Sequence, residues 1–239
     1  MNKNKKKLIK EISEKYDDTF EPRCKHFDKC GGCMFQNFSY EDQLSIKKDY
    51  LNNLLSDIVQ VDKVYPSNSF QYRNRMDMVT AFGKVGLREA GSYKYVADIE
   101  SCEIMQEKSN QSYQKARTYL KDIEQYNYLS HKGYHRYVIL RQAMFTGQVM
   151  MNFVVAREEN NINHIIDKIK DEIDSISILF NDSLADLSFG DVYENVKMGF
   201  IEEDFDGIKY RITPNSFFQS NSEIALKMYR KIKEFVSGK

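Results

Sequence analysis

The apolar positions of this chain change their period twice along its length. In a lysine-rich leader, residues 1–23, Leu8, Ile9 and Ile12 mark one side of a short helix. The string CKHFDKCGGC (24–33) breaks that period and, with its glycines, reads as a loop. SYEDQLSIKKDYLNNLLSDI then predicts a helix, because Ser39 and Asp42 have capping-box spacing and Leu44, Leu51, Leu54, Leu55 and Ile58 form an apolar stripe. From about residue 70 the segments FQYRNRMDMVTAF, KYVADI, RYVILRQAMF and QVMMNFVVA, rich in Val, Tyr, Phe and Met, predict strands. Helical patterns at 105–126 and at 160–174, the latter with Ile162, Ile165, Ile166, Ile169 and Ile173, interrupt them. MGFIEEDF and IKYRIT flank Asp206-Gly207, a hairpin signal, with Glu202, Glu203, Asp204 and Asp206 as a solvated acidic rim. NSEIALKMYRKIKEFV predicts a last helix whose inner face is Ile224, Met228, Ile232 and Phe235. Helices between hairpin-connected strands suggest an α+β domain.

Composition narrows the class. A chain of 239 residues, 41% hydrophobic and 29% charged, buries a substantial core and has no apolar run long enough to span a bilayer. MNKNKKKLIKEISEKY starts positively but lacks the apolar stretch of a secretory signal, which implies a cytoplasmic location. Cysteines there are reduced thiols or metal ligands rather than disulfides. The 35 basic and 35 acidic side chains cancel, without the basic excess of many nucleic-acid binders. Basic groups nevertheless gather at Lys3 to Lys10, at Arg73 and Arg75, and at Arg136 and Arg141.

Only four cysteines are present, Cys24, Cys30, Cys33 and Cys102. Three close ligands on a Gly-Gly turn plus one remote ligand can hold zinc or an iron–sulfur cluster. Structural zinc favours paired ligands, whereas the three-plus-one pattern suits a cubane. His26 reads as a solvated loop histidine. His131 and His135 have helical spacing, but Gly133 between them argues against a metal site.

Read as one unit, C-x5-CGGC-x2-Q-x3-Y-x2-QL-x3-K resembles the iron–sulfur region of the RNA (uracil-5-)-methyltransferases, through Cys24, Cys30, Gly31, Gly32, Cys33, Gln36, Tyr40, Gln43, Leu44 and Lys47. YRNRMDM (72–78), GLREAGSYKYVADIESCEIM (86–105) and ITPNSFFQSN (212–221) extend the resemblance over roughly residues 22–235. It implies a [4Fe–4S] cluster on Cys24, Cys30, Cys33 and Cys102, contact of Gln219 with S-adenosylmethionine, and RNA contacts by Arg73, Asn74 and Arg75. The bland reading of those arginines is an edge strand in water. For Phe217 and Phe218 packing under the last helix is favoured over base stacking. The activity implied is methylation of uridine C5 in ribosomal or transfer RNA, in which a cysteine thiolate adds to C6 and a carboxylate acts as base.

Two parts of that chemistry are missing from the pattern. No cysteine lies outside the four, and the eleven glycines include no G-x-G pair for a donor nucleotide. The expectation is therefore a fragment, inactive alone, of an α+β protein: an iron–sulfur loop and a mixed, largely antiparallel sheet with flanking helices, the Rossmann methyltransferase domain missing or only begun. Its parts are the leader 1–23, the iron–sulfur loop and helix 24–68, a central domain 69–213, and the start of the methyltransferase domain, 214–239. A separate C-terminal half is an expected partner besides RNA. The alternative is a non-catalytic iron–sulfur or zinc adaptor that binds RNA.

Overall fold

A computed structural model describes residues 3–159 and 161–238. Met1, Asn2, Asn160 and Lys239, which fall in the expected leader, second internal helix and last segment, lie outside the described residues. One seven-stranded sheet organises the chain, built from β1 (Arg75–Ala81), β2 (Lys84–Arg88), β3 (Val96–Asp98), β4 (His135–Gln142), β5 (Val149–Val155), β6 (Ser175–Phe180) and β7 (Asp191–Lys197). The spatial order is β3-β2-β1-β4-β5-β6-β7. Nearly every residue of β4 and β5 is buried, the polar His135, Arg136, Arg141 and Asn152 included, and these strands form the middle of the sheet. β7 closes one edge with all its residues exposed.

The sheet is mixed and largely antiparallel. Neighbours are antiparallel except β5 and β6, which run parallel. A parallel pair needs a crossover, and α4 (Asn163–Ile169) supplies it by burying Ile165, Ile166 and Ile169. β2, β6 and β7 were not separable as strands by pattern, and their pairing turns a set of hairpins into one continuous mixed sheet. α3 (Glu107–Leu120) lies with α4 over one face, where Tyr113, Ala116 and Leu120 meet Met78, Val138, Leu140, Met151 and Phe153.

α1 (Lys3–Ser13) and α2 (Tyr40–Leu54) form a satellite with the cysteine loop. The α2 cap is as the spacing predicts, with Asp42 N donating to Ser39 Oγ at 3.1 Å. Its predicted stripe is not the packed face: Leu51 and Leu54 are exposed and Ile58 is 81% exposed. Ile46 is buried instead, against Ile12 of α1 and Phe38. The small α1 offers room for one face of two turns, and Ile46 rather than the leucines lies on it.

The hairpin β8 (Ile201–Phe205) and β9 (Ile208–Ile212) turns at Asp206 and Gly207, both at positive φ, as a tight I′-like turn requires. α5 (Ser222–Val236) is capped by the Asn221 side chain, which accepts from Ile224 N. The predicted inner face of α5 is not covered by the described residues. Ala225 is buried, but Met228 and Ile232 are exposed and Phe235 is 80% exposed. Among the described residues, no helix is long and apolar enough to cross a membrane.

Candidate metal centre and adjoining cleft

The cysteine loop is held against the sheet by its backbone. Gly31 N donates to Arg88 O at 2.9 Å, Ala90 N donates to Lys29 O at 2.9 Å, and Cys30 forms a bridge with Glu89. A Cβ at Gly31 would stand 3.1 Å from Arg88 O, and one at Gly32 3.1 Å from a Leu87 methyl, so a larger residue would crowd β2 and its neighbours would have to give by a few tenths of an ångström. From the other side Asn110 of α3 accepts from Cys102 N at 3.1 Å. Gln36 accepts from Cys24 N at 3.1 Å.

Cys24, Cys30, Cys33 and Cys102 thereby line one enclosed pocket with His26, Gln36 and Leu87. The thiols are free and none is exposed. Burial pushes the Cys102 thiol up to about 11, against backbone donors at Ile104 and Met105, with the charges of Cys33 and Cys24 adding to the rise. Burial also raises Cys33, opposed by a hydrogen bond with Gln36 and by the Arg73 charge. Cys30 is raised by burial too, although Gly32 N donates to its sulfur at 3.4 Å. His26, expected in solvent, is partly buried, leaves Nε2 without a partner, and has its pKa lowered chiefly by that burial.

Among the described residues, no group of three or more His, Cys, Asp or Glu side chains is arranged to hold a metal ion. The four sulfurs nonetheless line one space, where the Gly32 amide donates to the Cys30 sulfur and burial penalises free thiolates.

Of the three expected RNA contacts, the structure separates one from the others. Asn74 is buried, and its Nδ2 donates to Gln219 O at 2.7 Å and to Ser222 Oγ at 2.9 Å. Both donors of the side-chain amide are thus engaged within the protein. Arg73 and Arg75 line a cleft of about 880 Å³ with Asp77, Arg88 and Tyr93. Arg75 is clamped to Asp77 through Nε at 2.8 Å and Nη2 at 3.0 Å. Among the described residues the Arg73 side chain is engaged through Nε alone, with Arg75 O at 3.0 Å.

Gln219 is partly exposed and its backbone is fixed by Asn74, while Ser220 O accepts from Asn74 N. Phe218 packs 5.5 Å from Phe205 and 6.0 Å from Tyr210, both in the β8–β9 hairpin, and Phe217 is exposed. Pattern reading missed the group that anchors this segment. Glu203, assigned to a solvated rim, is buried and accepts from Met144 N and Phe145 N at 2.8 Å each and from Ser222 Oγ at 2.7 Å. Strand alternation was the available signal, since Ile201, Glu203 and Phe205 share the inward face of β8. Arg136 was seen only as part of a basic cluster. It is buried under Tyr126 and holds Asn181 O at 2.7 Å and Ser183 O at 2.8 Å.

No protein-family model matches the chain. It is 35% identical over 220 residues to the tRNA (uracil(54)-C(5))-methyltransferase of Pyrococcus furiosus, covering 90% of this chain and 52% of that protein. It is 31% identical over 222 residues to an uncharacterized RNA methyltransferase of Thermotoga maritima, covering 89% of this chain and 50% of that one. The crystal structure of Pyrococcus abyssi tRNA (uracil-54, C5)-methyltransferase in complex with S-adenosyl-L-homocysteine superposes with a TM-score of 0.76 at 32% identity, over 86% of this chain and 50% of that chain. The chain thus spans about half the length of these relatives. A match over most of the chain to a methyltransferase fold, organised on a seven-stranded mixed sheet, overturns the expectation of a methyltransferase domain missing or only begun. By sequence and by fold alike, the chain is similar to about half the length of these RNA methyltransferases.

Proposed function

We propose that the chain serves the S-adenosylmethionine-dependent methylation of uridine C5 in a transfer RNA. The reading is carried by its similarity, over nine-tenths of its length, to proteins named for that reaction at uracil-54. In such a reaction a thiolate adds to C6, C5 takes the methyl group from the sulfonium, and a base removes the C5 proton as the thiolate leaves.

Cys24, Cys30, Cys33 and Cys102 would hold a [4Fe–4S] cluster, which supplies a redox-active inorganic crosslink between the loop and the sheet. Gln36 and Asn110 fix the two ends of that ligand set through the Cys24 and Cys102 amides. Gln219, held by Asn74, is the proposed contact to S-adenosylmethionine, and Arg73 and Arg75 are the proposed contacts to RNA. Residues 214–239 would be the part of the chain that meets the methyl donor.

All four thiols line one pocket, so a thiolate for uridine C6 would come from a partner polypeptide, and the chain alone would leave RNA unmethylated. The same fact favours, as a second reading, a non-catalytic RNA-binding protein. Transfer of tritiated methyl groups to an unmodified tRNA transcript tests both. Incorporation at uridine C5 by the chain alone would refute the need for a partner. Incorporation only when a partner is added supports the methyltransferase reading over the adaptor.

A further inference from the structure

Across the sheet edge from the cysteine pocket lies the cleft of about 880 Å³, walled by Gly31, Gly32, Arg73, Arg75, Arg88 and Tyr93. The loop between β2 and β3 reads Ser92-Tyr93-Lys94-Tyr95, alternating aromatic and basic residues. Ser92 Oγ accepts from Lys94 N at 3.1 Å, which fixes the turn and presents Tyr93 77% exposed and Tyr95 59% exposed. Two large rings exposed on a braced turn, with only the Lys94 ammonium 5.8 Å from the Tyr93 ring centre among the described residues, have the arrangement of a stacking platform.

The charges of the cleft are unequal in availability. Asp77 is neutralised by Arg75, and Glu89 stands 3.9 Å from Lys84. Arg88 pairs with Asp186 and stacks on Tyr128 at 4.6 Å, yet its Nη1 is buried with no partner. Arg73 forms no ion pair with any described residue, and its two terminal nitrogens make no hydrogen bond there. A cationic fork with open donors beside an exposed ring, in a space the size of a small ligand site, matches a phosphate joined to a base.

We propose that this cleft is a subsite for one unpaired nucleotide of the bound RNA, its phosphate on Arg73 and its base stacked on Tyr93. The inference rests on the RNA reading above and extends it to a residue outside the expected contact set. It also gives the cysteine loop a task in recognition. Gly31 N holds Arg88 O, so the loop fixes the backbone that carries the cleft floor. Gly32, Leu87 and Ile104 line both the cysteine pocket and the cleft, leaving a single layer of side chains between them.

Fluorescence anisotropy of the full chain with an unmodified tRNA transcript and with a labelled uridine-rich single-stranded decamer tests the proposal. Tyr93→Ala is expected to weaken both about tenfold with an unchanged salt slope, and Tyr93→Phe to bind as the parent does. Arg73→Gln is expected to weaken both and to lower the slope of log affinity against log salt by about 1. Tyr193→Ala, on exposed β7, is expected to change nothing. If the parent binds RNA while Tyr93→Ala and Arg73→Gln stay within about twofold of it, the subsite is refuted and the RNA reading stands. Absence of RNA binding by the parent chain would overturn both.

Discussion

Asn74 and Gln219 are joined across 145 residues of sequence by a 2.7 Å hydrogen bond from Nδ2 to a backbone carbonyl. The same nitrogen reaches Ser222 Oγ, which donates in turn to Glu203. The start of β1 is thus tied to the N-terminus of α5, and the segment between Phe218 and Ser222 cannot move without breaking a buried network. Asn74→Ala leaves a buried carbonyl and a hydroxyl short of a partner, so a loss of about 1–3 kcal/mol is expected. Urea denaturation checks the size. Hydrogen exchange checks the place, with faster exchange at 219–222 and little change at β5.

Glu203 satisfies two adjacent backbone amides and one hydroxyl in a buried site. Glu203→Gln turns one acceptor oxygen into a donor facing another donor, and is expected to destabilise by about 1–3 kcal/mol. The neighbouring Glu202→Gln, on the partly exposed face, is expected to stay within about 0.5 kcal/mol. Equal thermal shifts for the two variants would contradict the network.

His135 is fully buried, with Nδ1 2.7 Å from Thr80 Oγ1 and Nε2 unpartnered, and burial lowers its pKa to about 3. The folded pKa lies below the unfolded value of about 6.5, so the unfolded chain binds the extra proton. Stability from neutral His135 is whole above that pH and is lost as pH falls toward 3, by up to about 1.4 kcal/mol per pH unit. His135→Gln should flatten this acid limb in urea midpoints measured from pH 7 downward.

Cys102 works in the opposite direction. In metal-free protein its folded pKa is raised to about 11, so stability is whole below the unfolded value of about 8.5 and falls as pH climbs through that interval. Cys102→Ala should reduce the alkaline slope, leaving the part contributed by Cys30 and Cys33, which burial also raises.

Iron analysis of anaerobically purified protein tests the ligand set. About four irons per chain are expected, falling to near zero in Cys102→Ser because the remote ligand closes the site. A colourless protein with one zinc would point to a mononuclear centre instead, and unchanged iron in Cys102→Ser would remove Cys102 from the set.

Much of this molecule was legible in its residue pattern where the signal is local. The Ser39 cap, the Asp206-Gly207 turn and the Asn163–Ile169 helix each rest on neighbours in sequence. β6 and β7 were not legible, because SISILF and DVYENVK are short runs whose strand character comes from pairing with β5 and with each other. The same limit misplaced Glu203 and Asn74. Both are polar residues whose burial is decided by Ser222, a partner 19 residues from the one and 148 from the other. The stripes of α2 and α5 show the converse, since an amphipathic period marks a face without saying what covers it.

β7 carries one last implication. Its row of outward amides and carbonyls is a template onto which a foreign extended segment can add, and Val192, Tyr193 and Val196 give such a segment apolar grip. Asp191, Glu194 and Lys197 are the charges of that strand that discourage self-association. Neutralising all three should make concentrated samples turn cloudy long before the fold itself fails.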